Sequence, residues 1–165
     1  MNAMKKILAF ALAGVMALAL LTGCGTGGSA SHKSIAKAMA DYDNGLWNNT
    51  TSITCISSAE LDALLQTWAA DPGFEAVVKA VYTDDALPTI PSGSVPSDKV
   101  VYLYCGKYDK DAGKQAINLN AHSARISGTS ALSLAAVRQI GLITTSFTDT
   151  NGKEVKVRFA VVVSD

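Results

Sequence analysis

The two apolar runs near the end of the chain, Leu142–Asp149 and Lys153–Val163, flank Thr150-Asn151-Gly152, and their alternation admits very few pairings. A three-residue loop with Gly152 in the left-handed conformation suits such a hairpin, because glycine has no Cβ to clash there. That loop places Ile143, Phe147, Val155, Val157, Phe159 and Val161 on one face. Lys156 and Arg158 then face water with Thr144 and Ser146. A tighter Asn-Gly turn would set Phe147 opposite Lys156, and a one-residue slip sends a strand's whole apolar set to the wrong side.

A second hairpin is expected from Lys99–Tyr108 and Lys114–His122, turning at 109–113. With Tyr108 opposite Lys114, Val101, Leu103, Cys105, Ile117, Leu119 and Ala121 share an inward face. Tyr102, Tyr104, Tyr108, Asn118, Asn120 and His122 share the outward one. Upstream, Ile35, Ala38, Met39, Tyr42 and Leu46 recur at helical spacing over His32–Leu46, with Asn44-Gly45 as the stop. Thr51–Ile56 is short and β-branched and reads as a strand. Ser57-Ser-Ala-Glu60 matches a capping box before a helix with the stripe Leu61, Leu64, Leu65, Trp68. Asp71-Pro72 opens a further helix with the stripe Phe74, Val77, Val78, Val81. Thr83–Asp98 carries three of the four prolines and reads as a surface loop. Ser130–Ile140 reads as a helix stopped by Gly141, although the Leu132/Leu134 alternation leaves a strand open. The expected fold is α+β: a single antiparallel sheet of about five strands with helices packed on one face.

The N-terminus is of another kind. Lys5 and Lys6 precede an apolar run from Ile7 to Leu21, which as helix spans about 22 Å, short of the roughly 30 Å hydrocarbon core. A signal peptide fits better than a permanent span. It ends in Leu21-Thr22-Gly23-Cys24, and with this box residues 1–24 resemble a bacterial lipoprotein precursor. The resemblance implies diacylglyceryl transfer to the Cys24 thiol and cleavage after Gly23. Two acyl chains on one residue suffice for stable anchoring, which one chain alone does not give. Residues 1–23 are then leader, 24–31 lipidated cysteine and Gly/Ser-rich tether, and 32–165 a single domain held outside the cytoplasm, at the cell surface or facing a periplasm.

The chain has 14 basic and 14 acidic residues, and the leader removes two lysines, leaving a slight acidic balance with no basic stripe. Nucleic acid is therefore not an expected partner. In an oxidising compartment Cys55 and Cys105 are either a disulfide or two buried thiols; a bridge closing a loop of about 50 residues would contribute roughly 3–4 kcal/mol.

The first candidate site is the outward face Tyr102, Tyr104, Tyr108, Asn118, Asn120 and His122, since tyrosines and amides stack on and hydrogen-bond a peptide or glycan; the plain alternative is a solvated sheet face. Asp41-Tyr-Asp43-Asn-Gly45 and Asp109-Lys-Asp111-Ala-Gly113 open like calcium loops but lack the closing glutamate, so turn chemistry is the better reading. A Cys–His nucleophile is disfavoured because both cysteines lie in apolar runs, and no phosphate loop, zinc spacing or Gly-x-Ser-x-Gly occurs. His32, beside the tether, is expected in solvent. No catalytic residue, metal site or cofactor is assigned. The expected role is a lipid-anchored, non-enzymatic binding module at the envelope, with membrane and an envelope protein, peptide or glycan as partners. A small hydrolase and a structural envelope component are the alternatives.

Overall fold

A computed structural model describes residues 30–47, 52–127 and 137–164. The elements run α1 (His32–Trp47), β1 (Thr54–Ser57), α2 (Ala59–Ala69), α3 (Phe74–Thr83), β2 (Val100–Lys107), α4 (Ala112–Ala121), β3 (Ser123–Ser127), β4 (Val137–Thr148) and β5 (Glu154–Ser164). The fold is α+β with one five-stranded sheet in the order β1-β4-β5-β2-β3. Three pairings are antiparallel; β1 and β4 run parallel.

The β4–β5 hairpin has the register its alternation requires, with Phe147 opposite Val155 and Ile143 opposite Phe159. Gly152 takes φ +75 at the turn, and its amide donates to the Asp149 carbonyl at 3.1 Å. Ile143, Phe147, Val157, Phe159 and Val161 are buried on one face beneath α2 and α3. The stripes expected for those helices supply the other half of this core, through Leu61, Leu65, Trp68, Phe74, Val77, Val78 and Val81. Trp68, Phe74 and Phe159 meet edge-to-face at 5.1–5.9 Å, a geometry favoured by the ring quadrupoles.

Helices cover both sheet faces rather than one. Ile35, Ala36 and Met39 of α1 and Ala116 and Leu119 of α4 pack on Val100, Tyr104, Ile140, Leu142, Ala160 and Val162. The difference follows from β5: Ala160 and Val162 alternate with Val161 and Val163, so this central strand is apolar on both sides and demands two covers. Among the described residues, the buried members of both cores lie between Ile35 and Val163.

Residues 114–121 belong to helix α4, not to a strand. Asp111 caps it, its side chain accepting from the Lys114 amide at 2.9 Å. Ala116 and Leu119, three apart, are buried with Gln115, while Ile117 is left exposed, so the helical period prevails over the alternation. Strand β3, Ser123–Ser127, is the partner β2 takes instead.

Two glycines set helix distances. A Cβ on Gly106 would lie 2.4 Å from the Asn118 backbone, and one on Gly141 would lie 2.5 Å from the Leu61 Cβ. Each sheet face thus meets a helix at a strand position where a side chain has no room.

Smaller differences concern boundaries. Ser58, not Ser57, caps α2, accepting from the Leu61 amide at 3.3 Å. The α3 helix starts at Phe74 after an Asp71 turn. The α1 helix runs past Asn44-Gly45 to Trp47. Of the helix expected over Ser130–Ile140, positions 130–136 lie outside the described residues and Val137–Ile140 are strand β4. No helix among the described residues is long and apolar enough to cross a membrane.

Candidate functional site

At one end of the sheet, the β2–α4 connection and the β4–β5 turn stand side by side. Buried Gln115 fixes the first: its Oε1 accepts from the Asp109 amide at 2.8 Å and its Nε2 donates to the Lys107 carbonyl at 3.1 Å. Asn118 donates to the same carbonyl at 2.9 Å. The Tyr108 amide then donates to the Lys156 carbonyl at 3.0 Å, continuing the β2–β5 ladder beyond Lys107. Asp149 fixes the second turn, its Oδ1 accepting from the Asn151 and Lys153 amides at 2.8 and 2.9 Å.

Between them lies a groove of about 310 Å³ lined by Tyr82, Lys107, Tyr108, Asp149, Lys153, Glu154, Val155 and Lys156. The Lys156 ammonium sits 4.1 Å from the Tyr108 ring centroid, and the Arg158 guanidinium 5.0 Å from it, within cation–π range. Tyr82 is wedged between Phe147 and His122, each ring centroid 5.1 Å away. The Glu154 carboxylate accepts from the Ser146 hydroxyl at 2.7 Å. The site therefore combines aromatic walls with lysine ammonium groups, while its two carboxylates are engaged by the hairpin itself. Such a surface favours an anionic group carried on an apolar body.

The six residues of the expected outward face do not share one surface. Tyr102 and Tyr104 stack at 6.3 Å, but on the face covered by α1 and α4, and Tyr104 is buried. Burial, and next the Asp43 carboxylate, push the Tyr104 phenol up. Asn118 is spent on the Lys107 carbonyl, and Asn120 donates to the Ala116 carbonyl at 2.8 Å beside the Met39 sulfur. His122 Nδ1 lies 3.0 Å from Asp84. Only Tyr108 reaches the groove directly, with His122 behind Tyr82. Tyr82, Lys107, Lys153 and Lys156 were not singled out by the sequence; the spacing of lysines on either side of two turns was the one available signal.

Cys55 and Cys105 are both free. They occupy β1 and β2, with β4 and β5 between them, and pack on opposite faces. Strand spacing alone separates them by about 14 Å, too far for a bridge. Burial pushes the Cys105 thiol up to about 12. Burial also lifts the Cys55 thiol to about 11, with Arg138 opposing and Asp43 adding. Neither is poised as a nucleophile at neutral pH.

The first Asp-x-Asp segment is helical, and side chains two apart on a helix diverge. Asp41 pairs with Lys37 at 2.6 Å, whereas Asp43 forms a buried ion pair with Arg138. In the second, the Asp109 side chain accepts from the Asp111 amide at 2.8 Å and Asp111 caps α4. Among the described residues no three His, Cys, Asp or Glu side chains cluster to hold a metal ion. Two other readings change. Arg158 is buried, donating to the Ala30 carbonyl at 3.4 Å, and His32 is drawn onto Asp62 at 3.0 Å.

The far end of the sheet has a smaller hollow of about 200 Å³, lined by Lys99, Val137, Gln139, Val163 and Ser164. Comparison with known proteins finds no family, no curated protein and no solved structure that matches this chain.

Proposed function

We propose that this chain is a lipid-anchored extracytoplasmic domain that serves as a non-enzymatic binding module at the cell envelope, with the tyrosine–lysine groove as its contact surface. The observation that carries this reading is positional. Cys24 of the lipobox precedes Ala30 by six positions. The Ala30 amide donates to the Lys110 carbonyl at 2.9 Å and its carbonyl accepts from Arg158. The tether therefore joins the domain at the end that bears the groove, and an anionic component of the envelope is the partner its chemistry favours.

Metabolic labelling with an alkyne fatty acid tests the anchor. Full-length chain expressed in a bacterium is expected to take up label and fractionate with membranes. Cys24→Ala is expected to lose the label and keep its leader. Unlabelled wild-type protein, or label that survives Cys24→Ala, would overturn the reading.

A further inference from the structure

We propose that the groove end of the sheet docks on the anionic phospholipid headgroups of the same bilayer that holds Cys24, so that the domain stands on the membrane in a fixed orientation. This rests on the lipid-anchor reading and names the partner of the same site.

Three observations converge. First, the tether is short. Five residues separate Cys24 from Ala30, and that length of chain spans at most about 20 Å fully extended. Because Ala30 is fastened to Lys110 and Arg158, the groove end is confined near the headgroups whatever the tether does. The far end of β5, eleven residues away, lies about 35 Å beyond.

Second, charge is distributed unevenly. Segments 107–114 and 149–158 hold six cations, Lys107, Lys110, Lys114, Lys153, Lys156 and Arg158, against the four carboxylates Asp109, Asp111, Asp149 and Glu154. The rest of the chain after the leader holds more carboxylates than cations. These two segments therefore carry a local excess of cations.

Third, the carboxylates at this end are each engaged by a hydrogen bond within the protein. Asp109, Asp111 and Asp149 accept from the amides of Asp111, Lys114, Asn151 and Lys153. Glu154 holds Ser146, and Glu75 backs the turn by accepting from the Thr148 amide at 2.9 Å. The five lysines are all exposed and reach outward on flexible stems. Beside an anionic surface each multiplies binding by roughly fivefold, an effect that fades over a Debye length of about 8–10 Å. Tyr108, under Lys156, supplies a ring suited to the headgroup layer.

The test separates this docking from the anchor. The chain from Cys24 onward is coupled through the Cys24 thiol to maleimide-bearing lipid in vesicles, which requires no acyl transfer in a cell; the raised Cys55 and Cys105 thiols leave Cys24 as the reactive one. Lysine acetylation is then read by mass spectrometry on vesicles with phosphatidylglycerol and on pure phosphatidylcholine. Lys107, Lys110, Lys153 and Lys156 are expected to be protected several-fold on the anionic vesicles alone, with Lys37 and Lys79 unchanged, and the protection to vanish at high salt. For uncoupled chain carrying Cys24→Ser, adding Lys153→Glu and Lys156→Glu is expected to lower binding to the anionic vesicles by about 25-fold or more, with an unaltered circular dichroism spectrum. Equal acetylation on both vesicles would overturn the proposal, as would protection produced by inorganic phosphate without any vesicle. Protection here with no acyl group on Cys24 in cells would leave the docking surface standing and remove only the anchor.

Discussion

Asp62 on α2 accepts the backbone amide of Leu142 on β4 at 2.8 Å, eighty residues along the chain. Strand β1 ends its pairing with β4 at Ser57 opposite Ile140, so the edge of β4 is bare from there on. Asp62 covers its first exposed donor, and its other oxygen lies 3.0 Å from His32 Nδ1. Glu75 covers the Thr148 amide farther along. Two helix carboxylates thus guard the stretch of β4 that the short β1 leaves unpaired, which would otherwise invite a second chain.

Asp62→Ala should therefore lower stability by about 1–3 kcal/mol, the cost of a buried amide left without an acceptor. Asp62→Asn, which keeps a carbonyl oxygen, should lose less. Urea unfolding followed by Trp68 fluorescence measures both, since Trp68 lies in the core beneath the same helix.

The helix-contact glycines should tolerate no methyl group. Gly106→Ala and Gly141→Ala each force a helix off the sheet and should cost about 1–3 kcal/mol. Gly45→Ala, with nothing within 4 Å and a place in α1, should be neutral or stabilise by up to about 1 kcal/mol. Thermal melts of the three variants compare them directly.

The buried Asp43–Arg138 pair ties α1 to the start of β4. Arg138→Met alone strands the Asp43 carboxylate and should cost about 3–5 kcal/mol. Asp43→Leu combined with Arg138→Met should recover most of that loss. A double-mutant cycle in urea supplies the coupling energy.

Stability should fall at alkaline pH through the thiols. Cys105 moves from 9.0 to about 12 on folding, and Cys55 from 9.0 to about 11. The unfolded chain releases these protons first. The contribution is therefore complete below pH 9 and is lost as pH rises toward 11 and 12, at about 1.4 kcal/mol per pH unit for each thiol. Cys105→Ala should flatten the slope relative to wild type. Reductant should leave the melting temperature unchanged, because Cys55 and Cys105 are both free.

The sequence was legible where a period was reinforced by a stop. Phe147 and Val155, Leu61 and Trp68, and Phe74 and Val81 all carry the partners or burial that their spacing demands. It misled where two periods fitted one segment. Lys114–His122 alternates as well as a strand does, and the deciding residues, the Asp111 cap and Gln115 reaching back to Lys107 and Asp109, act through the backbone, where alternation carries no signal. That single reassignment dissolved the expected tyrosine–asparagine face. The groove was not legible for a related reason: Tyr82, Tyr108 and Lys156 come from three elements and meet only once the sheet order is set.

The sheet order also fixes a timetable. Strand β5 lies in the middle of the sheet, between β4 and β2, yet it is the last of the five to be synthesised. Until its residues leave the ribosome, β2 with β3 and β1 with β4 are two half-sheets that share no strand pairing. The sheet closes only when Glu154–Ser164 arrives, so a chain that is still being made has no finished sheet to undo.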